Sequence, residues 1–246
     1  MRKSSPENRR SVRVARGGVS TQALPGSRST TAPERQLPRG RHDLPRKFIA
    51  HTQRDRLLDA MAQAVARRGI SATVTEVCAA AGVSTRAFYE HFTDKEECFM
   101  ATFDCGVRLL QAGMSAAYAQ PGSWPIRMRR GLEVLLAVLT AEPAFANLAI
   151  VEMIAAGPRG RERVAQLLLY YQQFFADAPQ GPRQPRVPLT VVEATVAGVF
   201  GLLFNYVSTQ RTSELPGLLP EITYFVLAPF IGPRAAAEAR ELASPV

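Results

Sequence analysis

Apolar side chains recur along this chain at intervals of three and four, the spacing that lines one face of a helix, and they show no strand-like alternation. From Thr52 to Arg68 the stripe is Leu57, Leu58, Met61, Ala64 and Val65, with Arg54, Arg56, Arg67 and Arg68 outside it and Gly69 closing it. Between Thr73 and Glu97 the elements shorten. Thr73 and Glu76 form a capping box, Val74, Val77, Cys78 and Ala81 make the buried face, and Gly82 stops the helix because only glycine turns left-handed without steric cost. Ser84 caps a second short helix, Thr85 to Phe92, and Val83 plugs the corner between the two. Thr93 or Asp94 caps a long helix through Phe99, Phe103, Val107 and Leu110 to Ala119, which Pro121-Gly122 ends. Further helices are predicted near 124–141, 143–156, 159–178, 188–209 and 215–231, broken at Gly157-Pro158, Pro179-Gln180-Gly181-Pro182 and Leu215-Pro216-Gly217.

The expected fold is all-α. An N-terminal three-helix, helix-turn-helix DNA-binding domain (48–93) precedes a helical bundle (94–232), to which the family resemblance given below assigns ligand binding and dimerisation. A basic tail expected to be disordered (1–47) and a C-terminal tail (233–246) flank them. In the second short helix Phe88 and Phe92 share a face with only ~40° between them, which turns Thr85, Arg86, Ala87 and Tyr89 outward. A helix-turn-helix offers its recognition helix to the major groove in this way. Arg86 suits a guanine edge, the methyls of Thr85 and Ala87 suit thymine methyls, and Tyr89 and His91 suit phosphates. Lys95, beside the free N–H groups of the next helix, suits another phosphate.

Charge adds a second theme. Residues 1–47 hold twelve Lys/Arg and three acids, and that excess equals the whole net charge of +9. Residues 48–246 therefore balance. A tail so poor in large apolar groups cannot offset its own ordering entropy, and it carries no apolar stretch of a secretory signal. It is either a phosphate-following arm ahead of the helix-turn-helix or an extension from a start codon placed too early. Three cysteines, Cys78, Cys98 and Cys105, fit a reducing cytoplasm without a disulfide framework.

The stretch Gln53–Glu97 resembles the N-terminal domain of the TetR family of bacterial transcriptional regulators. Thr73-Val74, Ala81-Gly82-Val83-Ser84, Phe88-Tyr89-Glu90-His91-Phe92 and Asp94-Lys95-Glu96 carry the resemblance over about 45 residues. It implies phosphate contacts at Thr73, Tyr89, His91 and Lys95, and base contacts at Thr85, Arg86 and Ala87. Departures are Cys78 where alanine is usual, Ala87 where threonine is frequent, and Glu90, which can pair with Arg86 at i+4 and compete for it.

The resemblance also implies a cytoplasmic homodimer on a palindromic operator, released by a small-molecule effector of unstated identity. Ala194, Ala197, Gly198 and Gly201 form a small-residue ridge, and Leu219, Ile222, Phe225 and Phe230 make the next segment densely apolar. These two segments look like the family's four-helix dimer interface. Trp124, Phe145, Met153, Tyr171, Phe174 and Phe204 are candidate pocket residues, with Asn147, Glu152 and Asn205 as polar handles. Ala194–Gln210 is uncharged but reads as too short to span a membrane, so no membrane partner is expected. With His42, His51 and His91 as the only histidines, there is no catalytic triad, phosphate loop or metal cluster, and neither an enzyme nor a cofactor is expected. The alternative is an architectural, weakly specific DNA-binder driven by its basic arm.

Overall fold

The computed structural model describes residues 23–27, 46–179 and 187–241, and among these the regular structure is helical throughout. α1 (Arg46–Arg68) ends in a 3-10 turn, Gly69–Ser71, and Gly69 takes φ +62°. α2 (Val74–Ala81) opens with the expected capping box: Glu76 N–H donates to Thr73 Oγ1 at 3.2 Å, and Thr73 N–H donates to Glu76 Oε2 at 2.8 Å. Gly82 ends it in the left-handed region, φ 59° and ψ 39°. α3 (Thr85–His91) begins under Ser84, whose hydroxyl accepts the Ala87 N–H at 3.1 Å. Asp94 rather than Thr93 caps α4 (Lys95–Tyr118), accepting Glu97 N–H at 2.7 Å.

α5 (Trp124–Ala141) runs back along α4. α6 (Pro143–Ala146), a π-helical turn (Asn147–Glu152) and α7 (Met153–Ala155) form one irregular element. α8 (Pro158–Gln172) finishes in a 3-10 turn, Gln173–Phe175. α9 (Leu189–Ser208), a 3-10 stretch (Thr212–Leu218), α10 (Leu219–Ile231) and α11 (Pro233–Arg240) complete the chain.

One continuous apolar core joins the head to the body. Leu57, Leu58, Met61 and Val65 of α1 are at most 2% exposed, because α1 is wrapped by α2, α3, α4 and α6 together. At 1.5 Å per residue α4 is about 36 Å long, so a single rigid element reaches from beside the recognition helix deep into the body. Gly106 sits at its middle. A Cβ there would lie 2.0 Å from the Phe145 ring, so glycine is what lets α6 close onto α4.

Four expectations are corrected. α1 starts at Arg46, about two turns before Thr52. Part of the expected disordered tail is docked: Gly26 N–H donates to Asp59 Oδ1 at 2.8 Å, Leu24 packs against the core, and Pro25 is buried. The local apolar count of the tail missed this, because the anchors are two hydrogen bonds at Gly26, to Asp59 and from Gln63, which no apolar count records. Residues 1–22 and 28–45 lie outside the described residues, and with them most of that expectation. The C-terminal tail is partly α11, which buries Ala236 and Ala239, whereas 242–246 lie outside the described residues. Finally, α9 has twenty residues, long and apolar enough to cross a membrane by length and composition, as does Thr212–Ile231. In this fold α9 instead buries Val192, Val196, Val199, Leu203 and Val207 against the body.

Candidate nucleic-acid interface

α3 is anchored by one face and displayed by the other. Phe88 is 0% exposed and Phe92 is 3% exposed, their ring centroids lie 5.6 Å apart, and the Arg54 guanidinium covers Phe92 at 5.3 Å. Opposite them Thr85, Arg86, Tyr89 and Glu90 are exposed. Ala87 is half-buried and packs against the core, so its methyl reaches less far than those of its neighbours. Arg86 Nε lies 3.6 Å from Glu90 Oε1, the pairing that i+4 spacing predicts. With side chains 92% and 63% exposed, such a pair contributes only ~0–1 kcal/mol. A guanine edge can therefore displace it.

The four candidate phosphate contacts differ in how free they are. The Tyr89 ring stands edge-on to Phe88 and is 56% exposed. The Thr73 hydroxyl is engaged with Glu76, and the Thr73 N–H, with that hydroxyl second, holds the Glu76 carboxyl below its usual range. His91 Nε2 lies 3.4 Å from Gln53 Oε1; burial, then the nearby Arg54 charge, lowers its pKa, partly offset by Glu90. It is a neutral hydrogen-bonding group near neutral pH, not a cation. Lys95 departs most from expectation, because its ammonium donates to the Ile70 carbonyl at 2.7 Å and holds the turn after α1.

That turn meets the body. Ile70 N–H donates to Glu152 Oε2 at 3.0 Å, and Arg159 Nη1 lies 2.9 Å from Glu96 Oε1. Glu152 was expected in the pocket and instead bridges the two domains. Their separation of 82 residues hides such a contact from any local pattern.

The body holds a half-open cavity of about 100 Å3 between α4, α5, the π turn, α8 and α9. Phe145, Tyr171 and Phe174 line it as expected. Trp124, Met153 and Phe204 do not. Trp124 is a pillar beside it, its indole N–H donating to the Phe174 carbonyl at 2.9 Å and its ring 5.4 Å from Phe230. Met153 is fully buried outside the lining, and Phe204 faces outward on α9. Asn147 and Asn205 are not in the wall either. Leu110 and Met114 of α4 and Met128 and Leu135 of α5 supply further walls, and of these the sequence marks only Leu110, as part of the α4 stripe.

On the outer face of α9, Ala194, Ala197, Gly198 and Gly201 are exposed together with Phe204. Phe225 of α10 is 48% exposed and lies over Gly198, where a Cβ would sit 2.8 Å from its ring. Leu219, Ile222 and Phe230, expected at a subunit contact, are buried within this subunit. Helical spacing alone cannot say which face of a largely apolar helix turns inward.

Residues 57–102 match the model of bacterial regulatory proteins of the TetR family. The fold is similar to that of the fatty acid degradation regulator FadR from Bacillus halodurans, with TM-score 0.65 and 16% identity over 71% of this chain and 94% of that one. It is also similar to the transcriptional regulator FadR from Bacillus subtilis, solved in complex with stearoyl-CoA, with TM-score 0.62 and 14% identity over 71% and 97%. A TetR-family regulatory protein from Rhodococcus RHA1 aligns with TM-score 0.57 and 17% identity over 72% and 96%. Comparison with curated proteins gives no match. Residues 57–102 are therefore similar to the DNA-binding domain of TetR-family regulatory proteins, and they sit on a body whose fold is similar to that of the FadR regulators.

Proposed function

We propose that this chain is a homodimeric repressor that reads a palindromic operator in the cytoplasm and leaves it when a small apolar effector enters the body. The observation that carries the reading is the asymmetry of α3: Phe88 and Phe92 fix it from inside while Thr85 and Arg86 stand clear at its N-terminal end. Arg86 then takes a guanine edge, Thr85 and Ala87 the neighbouring bases, and Tyr89, Thr73, His91 and Lys95 the phosphates. The exposed small-residue face of α9, extended by Phe204 and Phe225, supports a twofold contact that presents two α3 helices to half-sites one helical turn or a multiple apart.

An effector must favour the DNA-incompetent arrangement to release the operator. Two contacts support a route for that bias. Phe145 joins the cavity wall to Gly106 of α4. The π turn, whose Ala149 and Ile150 also line the cavity, ends at Glu152, which holds Ile70 just ahead of α2. A ligand that pushes on either wall therefore acts on an element leading to the head. The Bacillus subtilis regulator was solved with stearoyl-CoA, whose acyl chain is apolar, and this supports an effector that brings an apolar part to the body.

Selection of bound sequences from a random DNA pool tests the reading. A palindromic motif that persists at physiological salt is expected. Binding that falls steeply with salt and enriches no motif would point instead to a non-specific, arm-driven DNA-binder.

A further inference from the structure

A short turn ahead of α1 bridges head and body. Leu24-Pro25-Gly26-Ser27 has the residues of a type II turn, with proline second and, third, a glycine at φ +92°, where side chains are strained. Ser27 N–H donates to the Leu24 carbonyl at 3.1 Å and closes it, and the Ser27 hydroxyl donates to the same oxygen at 2.7 Å. The turn grips α1 through Gly26, whose N–H donates to Asp59 Oδ1 at 2.8 Å and whose carbonyl accepts from Gln63 Nε2 at 3.4 Å. It also meets the body. A Cβ on Gly26 would lie 3.1 Å from that of Ala62 on α1 and 3.5 Å from that of Ala144 on α6, so the glycine sits against both helices. Pro25 is buried and Leu24 packs against the core.

The place of this grip matters, because the other polar ties between head and body gather at one end. Ile70 with Glu152 and Glu96 with Arg159 lie where α1 ends and α4 begins. Ties at one end let a helix pivot about them. Asp59 stands about 14 Å back along α1 from its last residue, Arg68. An attachment there opposes the pivot. It also bears on α6, the turn that sets Phe145 against Gly106. Asp59 belongs to this seam, since its charge reaches Glu142 at the corner of α5 and α6. Apolar contact between α1 and α6 has no preferred direction, whereas two hydrogen bonds to one glycine fix a register.

We propose that Leu24–Ser27 is a positioning strap: by tying α1 to α6 it holds the head at one angle to its body, and so sets the distance between the two α3 helices of the dimer. This rests on the reading of the chain as a dimer on an operator of two half-sites. One base pair of spacing is only about 3.4 Å, so a small tilt of each head is enough to blur it. The strap acts by geometry and not by charge, because residues 21–27 hold no charged side chain.

The test compares the full-length protein with Gly26→Pro, and a chain lacking residues 1–20 with one lacking residues 1–27. Proline has no N–H for Asp59 and cannot take a positive φ. The two shortened chains carry equal side-chain charge, so their difference isolates the strap from the basic arm. Amide exchange by NMR reads the seam directly. At Ile70, tied to Glu152, and at Ala146 of α6 it should quicken roughly three- to tenfold in Gly26→Pro and in the chain lacking residues 1–27, while Phe88 of α3 keeps its rate. Operator affinity is then measured with the half-sites at the selected spacing and one base pair further apart. The full-length protein and the chain lacking residues 1–20 should discriminate between the two, and the two strapless proteins should lose roughly three- to tenfold of that preference. Unchanged exchange at Ile70 and Ala146 in both strapless proteins overturns the strap. Faster exchange with unchanged spacing preference, or an equal loss of preference on removing residues 1–20 alone, overturns its positioning role. A full-length protein indifferent to spacing overturns the two-headed reading, and this inference with it.

Discussion

The head and the body of this molecule bury apolar side chains equally well but differ in slack. In the head, Leu57, Val77, Ala81 and Phe88 are all 0% exposed, and each short helix is closed by a cap whose hydrogen bonds span three or four residues. The body is tight at Gly106, open at the cavity a few residues further along α4, and interrupted by a π turn in its wall. A π turn inserted in a helix is frequently a functional feature. On the proposed function, a part that holds base-reading groups in register gains from rigidity. On the same proposal, a part that admits a ligand gains from unfilled space and a wall with irregular geometry.

That contrast breaks first at Phe88. Phe88→Ala should cost about 3–5 kcal/mol, because no neighbour can collapse into the hole. Thermal unfolding followed by circular dichroism measures it. A loss below about 1 kcal/mol would show the head to be as slack as the body.

Two glycines sharpen the contrast inside the body. Gly106→Ala would put a methyl against the Phe145 ring and should cost about 1–3 kcal/mol, which denaturant titration reads directly. Gly131 lines the cavity on α5, and a Cβ there meets nothing within 4 Å. Gly131→Ala should therefore stabilise by about 1 kcal/mol through helix propensity alone, while narrowing the cavity. Destabilisation at both positions would mean the void does not exist in solution.

The smallest expected effect is on pH dependence. Glu142, half-buried where α5 meets α6, has its carboxyl pushed up to about 7, by burial first and the Asp59 carboxylate second. The folded protein then holds a proton that the unfolded chain releases, so stability falls as pH rises from about 4.5 to about 7. Glu142→Gln should flatten that slope and raise the melting temperature at pH 8. An unchanged slope across those pH values would contradict the assignment.

What could be read from the chain before its structure follows the same division. The capping box at Thr73, the left-handed Gly82, the Ser84 cap and the Phe88/Phe92 pair all depend on contacts within a few residues. Sequence spacing states such contacts completely, and the structure keeps every one of them. The Arg86–Glu90 pair is likewise as its spacing predicts. Lys95 on the Ile70 carbonyl, Glu152 on the Ile70 N–H and Phe145 on Gly106 join residues 25, 82 and 39 positions apart. No periodicity records them. For the same reason Trp124, Met153 and Phe204 looked like cavity walls: an aromatic or thioether side chain at helical spacing says that it is buried or apolar, but not what it faces. The inward turn of Leu219, Ile222 and Phe230, set against the outward turn of Phe225 on the same helix, needed the positions of α5, α9 and α11 to decide.

The most direct measurement is the dissociation constant of the parent protein and of Arg86→Ala on the selected operator and on each of its single-base variants. Loss of about 1–3 kcal/mol, roughly 5- to 150-fold, with preference relaxed at one base position per half-site, is the predicted result. Unchanged affinity and unchanged preference at every base would contradict the assignment of α3 as the reading element.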